Sequence, residues 1–354
     1  MTPLTISHPS YAPVIEFTRG GIVESFHSGA VAVVNTEGRL VAAYGDPRTV
    51  TFLRSSAKPF QTLPLVESGA HEKYNLTPRE LAVTCASHLG MDMHVETVSG
   101  LQHKIGVTES DLMCGTQPVG DAATARRLIR EGQAPTPIRH ECSGKHTGML
   151  TQAKARGVST ADYINPQHPV QQTILQTFAE MCSVESHEVV VGIDGCSVPT
   201  FAVPLMNAAQ AFARLADPSR LPARRADALR TIFAAMTTHP EMVAGPGEFD
   251  TEIMRLMQGK LVSKGGAEAF LGMSVAAGAR GANSPALGIA IKIGDGGMRA
   301  RLLTGAEVLR QMGVLDEGQI SKLVELGLGP TAVLKNFRGL VVGEARPCFD
   351  LGNF

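Results

Sequence analysis

Strand-like runs stand near both ends of this chain and helix-period segments fill the middle, an order that restricts the fold more than any other feature. Val14 to Ser25 and Ala30 to Val34 are rich in β-branched residues, and Asn35-Thr36-Glu37-Gly38 reads as a turn into a third strand, Arg39 to Tyr44. Helical patterns then run from Ser55 to Ser68, Met93 to Lys104, Asp121 to Glu131, Lys145 to Ala155, Pro169 to Met181, Pro204 to Leu215 and Ala223 to Met236. Thr77-Pro78-Arg79-Glu80 opens a further helix, with a threonine cap, proline at the first position and glutamate three residues after the cap. Strand-like runs return at Glu188 to Ile193, Gly259 to Ser263 and Leu287 to Ile293. Asp295-Gly296-Gly297 then turns the chain into apolar and basic residues from Met298 to Leu303, with a helix at Glu307 to Met312. Three early strands in succession are not a βαβ start. The order predicts an α/β chain of the α+β type, an antiparallel sheet sandwiched by helices. No composition shift cuts the chain, so residues 1–354 read as one catalytic domain with a helical subregion about 70–240.

Composition narrows the class. A net charge of -1 gives no electrostatic reason to expect nucleic acid or an anionic membrane as partner. No run approaches the length of a membrane span, and Met1 to Pro13 lacks the basic start and apolar block of a signal peptide. Six scattered cysteines, Cys85, Cys114, Cys142, Cys182, Cys196 and Cys348, suggest free thiols in a reducing compartment, so the expected location is cytoplasmic.

The chemistry begins at Arg54-Ser55-Ser56-Ala57-Lys58-Pro59-Phe60. On a helix start, Ser55 and Lys58 share one face. A partly desolvated amine there can take the serine proton and make the hydroxyl a nucleophile toward an acyl carbon. Such spacing is common by chance, but Arg54 and Lys58 are the only charges in an otherwise apolar or small run.

Further reactive residues lie on glycine-rich turns. His140-Glu141-Cys142-Ser143-Gly144-Lys145-His146 and Gly192-Ile193-Asp194-Gly195-Cys196-Ser197 each carry a cysteine in a polar setting. Two thiolates meeting in space could hold zinc with a nitrogen or oxygen ligand, although each cysteine alone fits an inert core thiol better. Ser87-His88 follows a helix, where His88 reads as a plain helix-end residue. Ser263-Lys264-Gly265-Gly266 places a lysine at a strand end before two glycines, beside a Ser-x-x-Lys helix as in penicillin-recognising enzymes. Lys292, Asp295 and Arg299 read as a structural turn with surface charges.

Together these segments resemble the rhizobial-type L-asparaginase (asparaginase II) family, over nearly the whole chain. The resemblance includes Arg19-Gly20-Gly21-Ile22-Val23-Glu24-Ser25, Arg54 to Gln61, Cys85-Ala86-Ser87-His88, Cys142 to His146 and Asp194-Gly195-Cys196. It ends with Asn336-Phe337-Arg338-Gly339 and Gly343 to Pro347. It implies a fold like that of serine β-lactamases and glutaminases, a homodimer, and hydrolysis of L-asparagine to L-aspartate and ammonia through a serine acyl-enzyme. By motif it implies Ser55 as nucleophile, Lys58 as its base, and Ser87 with Lys264 as a second pair for proton transfer. It implies Cys142, Lys145 and Cys196 as ligands of one zinc ion per subunit, orienting the substrate's α-carboxylate or amino group, with Asp194 as a nearby substrate contact. Arg54 adjoins the nucleophile and is expected at the substrate, acting on the Lys58 amine by like-charge repulsion. Two alternatives stand beside this: a serine-dependent glutaminase or β-lactamase-like amidohydrolase, and a non-catalytic zinc-binding protein in which Ser55 and Lys58 are structural.

Overall fold

The structure is a computed structural model that describes residues 10–354. Most of the stretch on which the absence of a leader was expected, residues 1–9, lies outside the described residues. The strands are β1 (Ala12–Arg19), β2 (Ile22–Val34), β3 (Leu40–Tyr44), β4 (Val50–Phe52), β5 (Val190–Ile193) and β6 (Pro199–Pro204). They continue as β7 (Leu261–Gly266), β8 (Phe270–Val275), β9 (Leu287–Ile293), β10 (Ala332–Lys335), β11 (Val341–Pro347) and β12 (Gly352–Asn353). The large sheet runs β10-β11-β1-β2-β9-β8-β7, with β3 also on β2 and β12 on β3, and every pairing is antiparallel. A small sheet, β4-β6-β5, stands apart.

Neighbouring residues of a strand face opposite sides of a sheet. Gly272 of β8 lies against Phe212 of the helix Leu205–Ala216, while Leu271 lies against Gly305 of the helix Met298–Gln311. Helices therefore cover both faces, and β7, β8 and β9 are buried along their whole length. The sandwich expected from the order of elements is present.

The helix Lys58–Glu67 is buried at every residue from Lys58 to Val66. It packs against Ser143–Arg156, Pro169–Cys182 and Ala223–Thr238, so the lysine of the Ser-x-x-Lys motif enters the protein interior. The cap at Thr77 is as expected: its side chain accepts from Glu80 N at 3.2 Å, and Glu80 accepts from Thr77 N at 2.7 Å. Val14 to Ser25 is two strands rather than one, because Gly20 and Gly21, both at positive φ, make a tight hairpin. The residues from Met298 onward form one helix to Gln311, where the sequence suggested an apolar continuation and a short helix. The sequence reading also passed over β6, β8, β10 and β11. Among the described residues no helix is long and apolar enough to cross a membrane.

Candidate active site

β4 ends at Phe52, and the chain makes a 3-10 turn over Arg54–Ala57 before the helix starts at Lys58. Arg54 is at φ +52, a left-handed conformation that costs a non-glycine residue about 1–3 kcal/mol. This sharp turn sets Ser55 on the wall of a cavity of about 430 Å³, ample for an amino acid, shared with Ser87, His88, Glu141, Glu248, Asp250, Lys264, Ala267 and Arg301. Among the described residues the Ser55 hydroxyl has no hydrogen-bond partner. Ser56 turns inward and donates to the Lys264 carbonyl at 2.5 Å, tying the turn to β7.

Lys58 and Lys264 are both buried, and their amines converge on one hydroxyl. Lys58 Nζ lies 2.8 Å from Ser87 Oγ and donates to the Ala86 carbonyl at 2.5 Å. Lys264 Nζ lies 3.0 Å from the same Oγ and donates to the Gly265 carbonyl at 2.6 Å. Ser87 thus bridges the two lysines. Burial, and then the Lys58 charge, pull the Lys264 amine down to about 8 against the opposing pull of Asp250 and Glu141.

The supports of this relay are specific. Ser87 N and Leu89 N donate to the carbonyls of Val243 and Ala244, which pins the loop after the helix Pro78–Thr84. His88 is not a plain helix-end residue. It is buried, stacked on His94 at 4.8 Å, bonded through Nε2 to Ser143 Oγ at 3.0 Å, and accepts from Gly90 N at Nδ1. Burial, the neighbouring His94 and Lys58 hold its imidazole well below the ordinary range, so it is neutral. On the far side of Lys264, the buried Asp250 carboxylate accepts from Ser263 Oγ at 2.6 Å and Gly265 N at 2.7 Å, gripping the residues either side of the lysine. Gly266 allows β7 to touch the serine turn, since a Cβ there would lie 2.4 Å from the Leu53 carbonyl oxygen.

A second cluster holds the other expected residues. Arg54 and Asp194 form a half-buried ion pair of 2.7 Å, so the Arg54 charge is met by a carboxylate rather than left free beside Lys58. Lys145 Nζ lies 2.8 Å from Cys196 Sγ, and Cys142 and Cys196 share a thiol hydrogen bond. That bond, opposed by burial and aided by Lys58 and Lys145, holds the Cys142 thiol well below its usual range. Burial works against the Lys145 ammonium, but Cys142 and then Cys196 outweigh it and push its amine up. Two soft sulfurs and an amine suit zinc. Among the described residues no three His, Cys, Asp or Glu side chains form a metal group, so a zinc ion here would need Lys145 as a third protein donor. The fit is therefore one of donor chemistry: Cys142, Cys196 and Lys145 converge, and zinc would replace the lysine proton that now satisfies the sulfurs. All six cysteines are free thiols.

Lys292 is buried in β9 and donates to the carbonyls of Glu268 and Ile293. Asp295 binds His27 Nδ1 at 2.6 Å and Arg299 donates to His27 Nε2 at 2.8 Å, so this turn carries an internal network rather than surface charges alone. The sequence reading did not single out Glu141, Glu248, Asp250, Ala267 or Arg301. Asp250 follows a Gly-Glu-Phe sequence with no motif signal, and the other four become neighbours only through the fold.

An unbonded serine hydroxyl on a cavity, backed by a serine bridged between two buried lysines, is an arrangement suited to acyl transfer. Comparison with known proteins gives the family: residues 15–347 match the one described as L-asparaginase II. The chain belongs to the L-asparaginase II family, and that membership implies amidohydrolase activity. No individual curated protein matches it. Among solved structures it is similar to a β-lactamase from Mycobacterium bovis, at 13% identity over 81% of this chain and 95% of that one, TM-score 0.43. It is also similar to a Bacillus subtilis glutaminase in covalent complex with 5-oxo-L-norleucine, at 12% identity over 85% and 88%, TM-score 0.36.

Proposed function

We propose that this cavity hydrolyses the side-chain amide of L-asparagine through an acyl-enzyme on Ser55. The observation that carries the reading is the Ser87 hydroxyl lying between Lys58 and Lys264, on the cavity that Ser55 faces. A neutral Lys264 can accept the Ser87 proton while Ser87 takes one from Lys58. The vacancy moves to Lys58, which can then receive the proton of Ser55. Ser55 Oγ attacks the amide carbon, and the oxyanion is held by the Ser55 and Ala267 amides, neither of which has an acceptor among the described residues. The C–N bond breaks, ammonia leaves with the relayed proton, and water cleaves the ester to L-aspartate, its proton passing through the lysines to the departing Ser55 oxygen.

Zinc held by Cys142, Cys196 and Lys145 would supply fixed positive charge beside the Arg54–Asp194 pair. With a serine nucleophile present, the ion would not be needed to generate hydroxide. Replacing Ser55→Ala should lower turnover at least about a thousandfold. Near-normal ammonia release would end the proposal. An electrophilic amide analogue should label Ser55, which separates this reading from a structural zinc protein. Glutamine is one methylene longer, worth about 1–3 kcal/mol in a pocket, so ammonia release from both amides decides between asparaginase and glutaminase.

A further inference from the structure

Asparagine carries an α-carboxylate and an α-ammonium on one carbon, and a site that reads both needs a cation and an anion side by side. The thiol–lysine cluster and the Arg54–Asp194 pair are not on the wall of the cavity that holds Ser55, and Arg54 and Asp194 already answer each other. The receptors must come from elsewhere.

The wall supplies them. Arg301, in the helix Met298–Gln311, lies across β7 at Gly265, where a Cβ would come within 2.3 Å of Nη1. Among the described residues its one hydrogen bond is from Nη1 to the Gly266 carbonyl at 3.2 Å. Its Nε is buried without a partner, and no carboxylate among the described residues lies within ion-pairing reach. The helix begins at the cavity, with Gly296 and Met298 on the wall, so its positive end faces the same space. Glu248 stands at the exposed lip and, among the described residues, makes no side-chain bond or ion pair. Asp250, its neighbour, is committed to Ser263 and Gly265. Glu248, Asp250 and Arg301 line the same cavity; burial and the Asp250 charge push the Glu248 carboxyl up, and Arg301 pulls it down. Glu141 and Glu268 are the other acids on the wall; the charge of Glu141 is felt at Lys264 and that of Glu268 at Lys292.

We infer that Arg301 and Glu248 form an α-amino-acid subsite, Arg301 taking the α-carboxylate in its fork and Glu248 the α-ammonium, with the side-chain amide left toward Ser55. The inference rests on the amidohydrolase reading for what the ligand is used for, and binding of the product tests it separately. Calorimetry on the full chain would compare L-aspartate, succinate (no α-ammonium) and 3-aminopropanoate (no α-carboxylate), alongside ammonia release from L-asparagine. Arg301→Met should weaken L-aspartate about 10–100-fold and leave 3-aminopropanoate within about twofold. Arg301→Lys should restore part of the loss, since lysine keeps charge but not the fork, and it serves as the test if the methionine variant fails to fold. Glu248→Gln should weaken L-aspartate by a similar factor and leave succinate unchanged or tighter. Equal losses on all three ligands, or no loss, would overturn the subsite. Wild-type protein that binds L-aspartate in this pattern but releases no ammonia keeps the subsite and ends the amidohydrolase reading. Ammonia release that Arg301→Met leaves intact ends the subsite alone, and wild-type protein that neither binds nor releases ends both.

Discussion

Lys264 offers the sharpest test, because one side chain should make stability and activity rise together with pH. Its amine falls from 10.5 to about 8 on folding. The unfolded chain therefore binds more protons than the folded one between about pH 8 and 10.5, and stability must rise with pH across that window. Below pH 8 the full cost of charging a buried amine applies. At 1.36 kcal/mol per unit it is about 3 kcal/mol. Lys264→Met removes this dependence. It also removes the hydrogen bonds to Ser87 and Gly265, but that loss is the same at every pH, so the slope carries the test rather than the offset. Urea unfolding of both proteins from pH 7 to 10 should show wild type gaining about 2.5 kcal/mol relative to the variant. Activity should follow the neutral fraction, about one tenth at pH 7, half at pH 8 and nine tenths at pH 9, so wild-type kcat/KM should rise about fivefold over the first of these steps. Parallel stability curves for the two proteins, with a flat activity profile between pH 7 and 9, would refute the reasoning.

Cys142→Ala and Cys196→Ala should each lower zinc content by metal analysis and raise KM more than they lower kcat; unchanged stoichiometry would remove the ligand assignment. Gly266→Ala pushes a methyl group to 2.4 Å from the Leu53 carbonyl oxygen, so it should cost about 1–3 kcal/mol in thermal unfolding and reduce kcat by shifting the Ser55 turn.

The sandwich was legible because β-branched runs and helical periods are local signals, as at Leu287 to Ile293 and in the cap at Thr77. β8 was hidden because its strand, FLGMSV, is buried on both faces and shows no alternation. The family motifs located Ser55, Lys58, Ser87 and Lys264, and the structure brings all four to one place. Their partners had no such signal. Asp250 grips Lys264 from a helix start 14 residues earlier in the chain, and Arg301 reaches Gly265 from a helix after two more strands. Such contacts follow from packing and not from spacing. Arg54 shows the reverse case: its position beside the serine suggested action on Lys58, yet its guanidinium finds Asp194, 140 residues away.

β7 is the last strand of the large sheet, and an outermost strand ordinarily presents unpaired backbone groups to which another chain could add. Here Ser56 closes the Lys264 carbonyl and Asp250 closes the Gly265 amide. The rim is thus guarded by the groups that align the chemistry. Loosening either latch should make the protein stickier as well as slower, joining solubility to catalysis at a single margin.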